Sequence, residues 1–363
     1  MRSDSFPARL LALAALFVAL LAAPWPAMAA DFPAILADKP PKLLSAYGFF
    51  DDIKAGAGIS KPANGIVEYD LITPLFSDFA VKTRHVHVPE GAAAKYDEKE
   101  AFGFSVGSAL IKTFAFPADF REPDKNVRLI ETRVLLRHED GWQAMAYVWN
   151  DDQSDAELKI AGKRLDLSFI DMQGKPVTFS YAVPNKNQCK GCHAIDGVVT
   201  PIGPKARNLN RDFDHGAIQG DGPANQLQWW AAHGLLDGLP ETGVQQAANW
   251  LDEAAPLGLR ARTWLDINCA HCHRPEGPAS NSGLFLTFDQ PNPVARGIGK
   301  RPVAAGRGAG DNQFDIVPGH PEQSILITRV ESTEPGVMMP ELGRALTDPR
   351  AVDLLRRWIL TLH

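Results

Sequence analysis

The four cysteines of this 363-residue chain fall into two copies of one five-residue pattern, and nothing else in the sequence constrains the fold as tightly. The copies are Cys189-Lys190-Gly191-Cys192-His193 and Cys269-Ala270-His271-Cys272-His273. C-x-x-C-H is the attachment pattern for c-type haem. Two thiols three positions apart on a helical turn can each add across one haem vinyl group, and the histidine that follows then lies beneath the macrocycle. Other uses of cysteine fit less well. A zinc site built from two cysteine pairs joins them across a short ribbon, whereas Cys189 and Cys269 stand 80 positions apart. A thioredoxin-like dithiol needs a strand-helix-strand setting, and disulfides explain no histidine after each pair. The pattern predicts two covalent haems on Cys189, Cys192, Cys269 and Cys272, with His193 and His273 on the irons.

The first thirty residues predict export. Arg2 and Arg9 give a positive start, residues 10–23 are apolar throughout, and Ala27-Met28-Ala29 supplies a small-residue cleavage pattern. The expectation is a signal peptide over 1–29, cut near Ala29 or Ala30, and a periplasmic protein. The apolar run is short for a span of about 20 residues, so no membrane span is expected after cleavage. Removing the signal takes away two arginines and one aspartate, moving the net charge from −6 to −7. Haem propionates add further negative charge. This balance argues against a nucleic-acid partner and fits a basic protein partner.

From residue 43 to 184 the pattern is mostly of strands. Residues 128–137 (RLIETRVLLR) and 142–149 (WQAMAYVW) flank Glu139-Asp140-Gly141 and read as a hairpin. Residues 102–116, 158–169 and 176–183 read as further strands, so an antiparallel β-sandwich-like domain is expected here. Beyond Pro184 helices and Gly/Pro loops take over. A first haem module over 185–255 is expected to be atypical and to pack on the β domain, because residues 181–183 read as strand and no helix enters its motif. A second, cytochrome c-like module is expected over 256–363. There a helix carrying Trp264 leads into the motif, and a final helix, with Asp348 as cap and Pro349 in its first turn, carries Trp358. The fold class expected is therefore multidomain, a β-sandwich-like domain followed by mainly α cytochrome c-type modules.

Met338-Met339-Pro340-Glu341-Leu342-Gly343 lies just before the last helix. A thioether on the far side of an iron favours Fe(II) and raises the potential. Met339, in the Met-Pro step, is the expected sixth ligand of the second haem, with Met338 as the alternative; His320 reads as a turn residue. For the first haem no methionine lies between His193 and His273. The candidates are His215, His233, Met172 and Met145, or an open position. Gly203-Pro204 is expected to offer a backbone carbonyl to His193. His85, His87 and His138 read as surface residues, and Tyr147, Trp149, Trp229 and Trp230 as packing. The loop carrying Arg296, Lys300, Arg301 and Arg307 is left unassigned.

Several segments together are similar to a family of bacterial diheme c-type cytochromes with a β-rich front half, often encoded beside a parallel β-helix repeat protein. They are LSAYGFF (44–50), YDLITPLFSDFAVKTR (69–84), RLIETRVLLR, YVWNDDQSDA (147–156), VPNKNQCKGCH (183–193), IGPKARNLNRDF (202–213), NCAHCH (268–273), PGHPEQSIL (318–326) and MMPELG. The resemblance spans nearly the whole chain beyond the signal. It implies covalent haem at the four cysteines, iron on His193 and His273, and Met339 as the second distal ligand, and it leaves the first haem's sixth ligand open.

The leading expectation is single-electron transfer to or from a redox partner, whether a dehydrogenase, another cytochrome or the β-helix protein. The alternatives are a diheme enzyme, such as a peroxidase-like reductase with an open sixth position at the first haem, and a surface-binding β module that carries haems.

Overall fold

The computed structural model describes residues 32–54, 58–215 and 222–363, so the expected signal peptide lies outside the described residues. Eleven strands occupy the first half. They are β1 (Phe50–Lys54), β2 (Gly58–Pro62), β3 (Ile66–Glu68), β4 (Val81–His87), β5 (Ala94–Lys95), β6 (Ala109–Pro117), β7 (Val127–His138), β8 (Gly141–Trp149), β9 (Ala156–Leu158), β10 (Lys163–Ile170) and β11 (Pro176–Val183). Six of them form one antiparallel sheet in the order β3-β4-β6-β7-β8-β9. β7 and β8 are the hairpin read from the sequence, closed at His138–Gly141. β6 and β7 slip register at Phe114/Ala115, a bulge that adds local twist.

Alternation along these strands gives the sheet two unlike faces. On one face Ile111, Val134, Met145 and Tyr147 meet Phe32, Ile35, Leu44 and Tyr47 of the N-terminal segment in a continuous apolar layer. The other face is divided. At one end the β10–β11 hairpin places Leu167, Phe169, Phe179 and Tyr181 over Phe114, Phe116 and Val148. At the opposite end Val86 and Leu110 pack with Leu209, Leu227 and Trp230 of the later chain. Between them runs a cationic row, because Arg84, Lys112 and Arg133 are direct cross-strand partners on β4, β6 and β7.

Six helices lie among the described residues of the second half: α1 (Lys186–His193), α2 (Ala206–Leu209), α3 (Gln226–Ala232), α4 (Leu257–Cys269), α5 (Ile325–Glu331) and α6 (Pro349–Leu360). Asp348 caps α6 by accepting from the Arg350 amide at 3.0 Å. α4 and α6 pack through Ala261, Trp264, Leu265, Leu355, Trp358 and Ile359.

Two expectations of fold class are corrected. The second half is not mainly α: only α4 and α6 are longer than eight residues, and long irregular loops and two-stranded ladders fill the rest. Gly and Pro explain it. Between Pro275 and Gly310 they recur too often for a helix to propagate, and Gly283, Gly297 and Gly299 adopt positive φ. The first half is one six-stranded sheet with two separate two-stranded hairpins, β1–β2 and β10–β11, the latter laid over part of one face, not two facing sheets of a sandwich. The two halves share cores rather than standing apart, since Trp230 sits among residues of β4 and β6. No helix among the described residues is long and apolar enough to cross a membrane.

Candidate functional site

The first motif is a helix in its own right. β11 ends at Val183, and after Pro184 Asn185 starts α1 through a capping box: its side chain accepts from the Gln188 amide at 2.8 Å, and the Gln188 side chain accepts from the Asn185 amide at 2.9 Å. Cys189, Cys192 and His193 thereby ride one rigid element with no entering helix. The second motif begins where α4 ends. The amides of Cys272 and His273 donate to the Cys269 carbonyl at 3.1 and 2.9 Å, a tight turn that gathers Cys269, Cys272 and His273.

Both motif histidines are held in the same way. His193 Nδ1 donates to the Thr200 carbonyl at 3.0 Å. His273 is hydrogen-bonded to the Leu284 backbone, and its Nδ1 lies 3.4 Å from the Ser282 hydroxyl. Such a bond fixes the tautomer that leaves Nε2 free for a metal. Burial pushes both imidazoles down to about 4, so both are neutral near pH 7. The carbonyl that meets His193 comes from Thr200, three residues before the Gly203-Pro204 step expected to supply it.

Each histidine faces a cavity. Beside the second motif a space of about 480 Å³ is lined by Cys269, Cys272 and His273, by Leu284, Leu286, Ile316 and Val330, and by Met339 to Leu342. Met339 borders this space, whereas Met338 is buried away from it. The Met339 loop is tied down by Arg344, which donates to the carbonyls of Met339 at 2.9 Å, Ser332 at 2.8 Å, and Arg329 and Val330 at 3.2 Å. Sequence reasoning did not single out Arg344; an arginine in a Gly-flanked loop gives no local sign of what it will reach.

Beside the first motif a smaller space, about 190 Å³, lies against the sheet. Cys189, Cys192 and His193 border it on one side, and Tyr69, Arg84, Lys112 and Arg133 on the other. The candidate sixth ligands fall elsewhere. Met172 is exposed in the β10–β11 turn. His215 and His233 stack on Trp229 with ring centroids 4.0 and 3.9 Å apart. Met145 borders the space, but its side chain belongs to the opposite face of the sheet with Ile111 and Val134. His85 and His87, expected at the surface, are buried because the N-terminal segment covers them; Phe50 lies 5.4 Å from the His85 ring and Phe32 4.7 Å from His87.

The two motifs meet. The Cys192 and Cys272 thiols are in hydrogen-bond contact, which pulls the Cys192 thiol down and pushes Cys272 up. Cys192, His271 and Leu342 border both cavities. Arg274 beside the second motif donates to both Glu100 oxygens at 2.9 Å, and Lys205 lies 3.5 Å from the same carboxylate. Burial raises Glu100, but Arg274 and Lys205 outweigh it and hold the carboxyl down at about 2.

These residues fit a haem at each motif. Each cavity joins an apolar wall, two thiols and a neutral imidazole already set for a metal at Nε2, and all four cysteines are free. Among the described residues no group of three or more His, Cys, Asp or Glu side chains is arranged to hold a bare metal ion, as a zinc site would need. Comparison of the chain with protein-family models, with curated proteins and with solved structures finds no match.

Proposed function

We propose that this chain is an exported diheme c-type cytochrome that passes single electrons between two covalently held haems and a redox partner. One observation carries the reading: each C-x-x-C-H histidine is hydrogen-bonded to the backbone and faces a cavity bordered by its own cysteine pair. When bound, each haem supplies a one-electron Fe(III)/Fe(II) couple. The residues do the rest. Cys189 and Cys192, and Cys269 and Cys272, would anchor the groups; His193 and His273 would bind the irons, and Met339 would offer its thioether to the second. Contact between Cys192 and Cys272 brings the two attachment edges together, which suits transfer from one site to the other.

A second reading, a diheme reductase with an open sixth position at the first haem, is favoured by one observation: of the four sequence candidates only Met145 borders that cavity, and its side chain packs on the opposite face of the sheet. The test is chemical. The mature protein, exported in a host that attaches c-type haem, is expected to keep its red colour in acidified organic solvent and to weigh two haems more than its chain. Colour that extracts, or a mass without them, ends both readings. Readily formed carbon monoxide complexes at one ferrous haem would favour the reductase.

A further inference from the structure

The sheet face that closes the first cavity has more positive charge than its own carboxylates can balance. Arg84, Lys112 and Arg133 stand in register on three adjacent strands, with Lys82 one alternation along β4. Like charges directly opposite one another in a sheet repel, and the later chain covers this face only in part, so that Arg84 is buried while Lys112 and Arg133 are half-buried. Arg133 is satisfied, because it donates to both oxygens of Glu131, at 2.9 Å from Nε and 2.5 Å from Nη2. Arg84 lies 3.3 Å from Asp70, which also accepts from Arg211 at 2.8 Å. Lys82 donates to the Leu75 carbonyl at 2.6 Å, and Asp78 is engaged by the amides of Ala345 and Leu346 at 2.7 Å. Lys112 is different. Among the described residues it makes no hydrogen bond or ion pair; its ammonium stands 4.8 Å over the Phe114 ring and borders the cavity.

A half-buried ammonium with no carboxylate of its own, beside two guanidinium groups and bordering a cavity, is a place where an anion is stabilised. We propose that Lys112, flanked by Arg84 and Arg133, is an interior anion site that takes a carboxylate or similar oxoanion beside the first haem. The inference rests on the reading that a haem is joined to Cys189 and Cys192. Burial and the neighbouring cations push the Lys112 and Lys82 amines down, Lys82 to about 7, which agrees with a cluster short of negative charge. Two sources share this chemistry: a propionate of the first haem itself, or a small oxoanion from solution that binds at its open side.

The experiment uses the purified holoprotein, with haems counted by mass before any comparison; a wild-type chain without haem refutes the proposed function rather than this site. Potentials of the two haems are then measured in wild type, Lys112→Gln and Lys112→Arg, with and without sodium formate. Losing the positive charge favours the oxidised haem, so Lys112→Gln is expected to lower the first haem's reduced-to-oxidised ratio at fixed potential about tenfold, and Lys112→Arg to restore it. A saturable formate response in wild type that is absent in Lys112→Gln assigns the anion to solution; no formate response in either assigns it to the propionate. Arg84→Gln, expected to shift the potential the same way, serves if Lys112→Gln does not fold. Equal potentials and equal formate responses in wild type and the charge-removing variant, with both haems attached, overturn the site. So does a change of ferric spin state in both Lys112→Gln and Lys112→Arg, because the lysine then meets iron and not an anion.

Discussion

Met339 and Arg344 divide one task at the second cavity. Met339 offers sulfur, and Arg344 holds the backbone that presents it by donating to five carbonyls. Met339→Ala is expected to abolish the weak near-infrared sulfur-to-iron band and to lower that haem's potential by on the order of 100 mV, a fraction of the ≈ 0.8 V range that axial ligands command. Met338→Ala, which removes a side chain outside the cavity, is expected to leave the band intact. A band that survives Met339→Ala and vanishes in Met338→Ala would reverse the assignment. Arg344→Gln leaves half-buried carbonyls without a charged donor and is expected to cost about 3 kcal/mol in urea unfolding, with weakened sulfur ligation.

At the scale of single elements, α1 is the most exposed to local chemistry, since eight residues of helix carry two thiols and the His193 imidazole. Isolated helices of that length are marginal in water, so the Asn185 capping box matters more here than at a longer helix. Asn185→Ala is expected to cost about 1 kcal/mol and to lower the yield of chains with a haem on Cys189 and Cys192, with the second haem unaffected. Equal loss at both motifs in the mass spectrum would show that the cap acts on the whole fold. α6 depends on packing instead. Leu355 is fully buried between α4 and α5, and Leu355→Ala is expected to cost about 3 kcal/mol by chemical denaturation.

Across the whole molecule, Glu100 joins the β-rich half to both motif regions through Arg274 and Lys205. Its folded pKa is depressed, so the stabilisation it supplies is present above the ordinary carboxylate value and disappears as pH falls toward about 2. Glu100→Gln is therefore expected to lower the thermal midpoint at pH 6, with the gap from wild type closing by about pH 2. A gap that persists unchanged at pH 2 would mean that shape rather than charge matters at this position.

Much of this protein is local enough to read directly. The hairpin of β7 and β8, the Asp348 cap, the Trp264 and Trp358 helices and the two C-x-x-C-H turns follow from propensities, turn residues and spacing within a few positions of each other. Apart from the helix content of the second half, which its own Gly and Pro residues limit, what failed was non-local. Nothing within residues 128–137 shows what will cover their polar positions; only the folded chain shows that Glu131, Arg133, Lys112 and Arg84 lie under the first motif. His85 and His87 were misread for the same reason, because the segment that buries them lies tens of residues earlier. By itself the sequence determined the spacing of four cysteines and two histidines on which the proposed attachment depends, since each C-x-x-C-H pattern lies within one turn. The meeting of the two motifs, the Thr200 and Leu284 backbone contacts and the cationic row were decided by tertiary structure, because each depends on which distant backbone arrives beside which side chain.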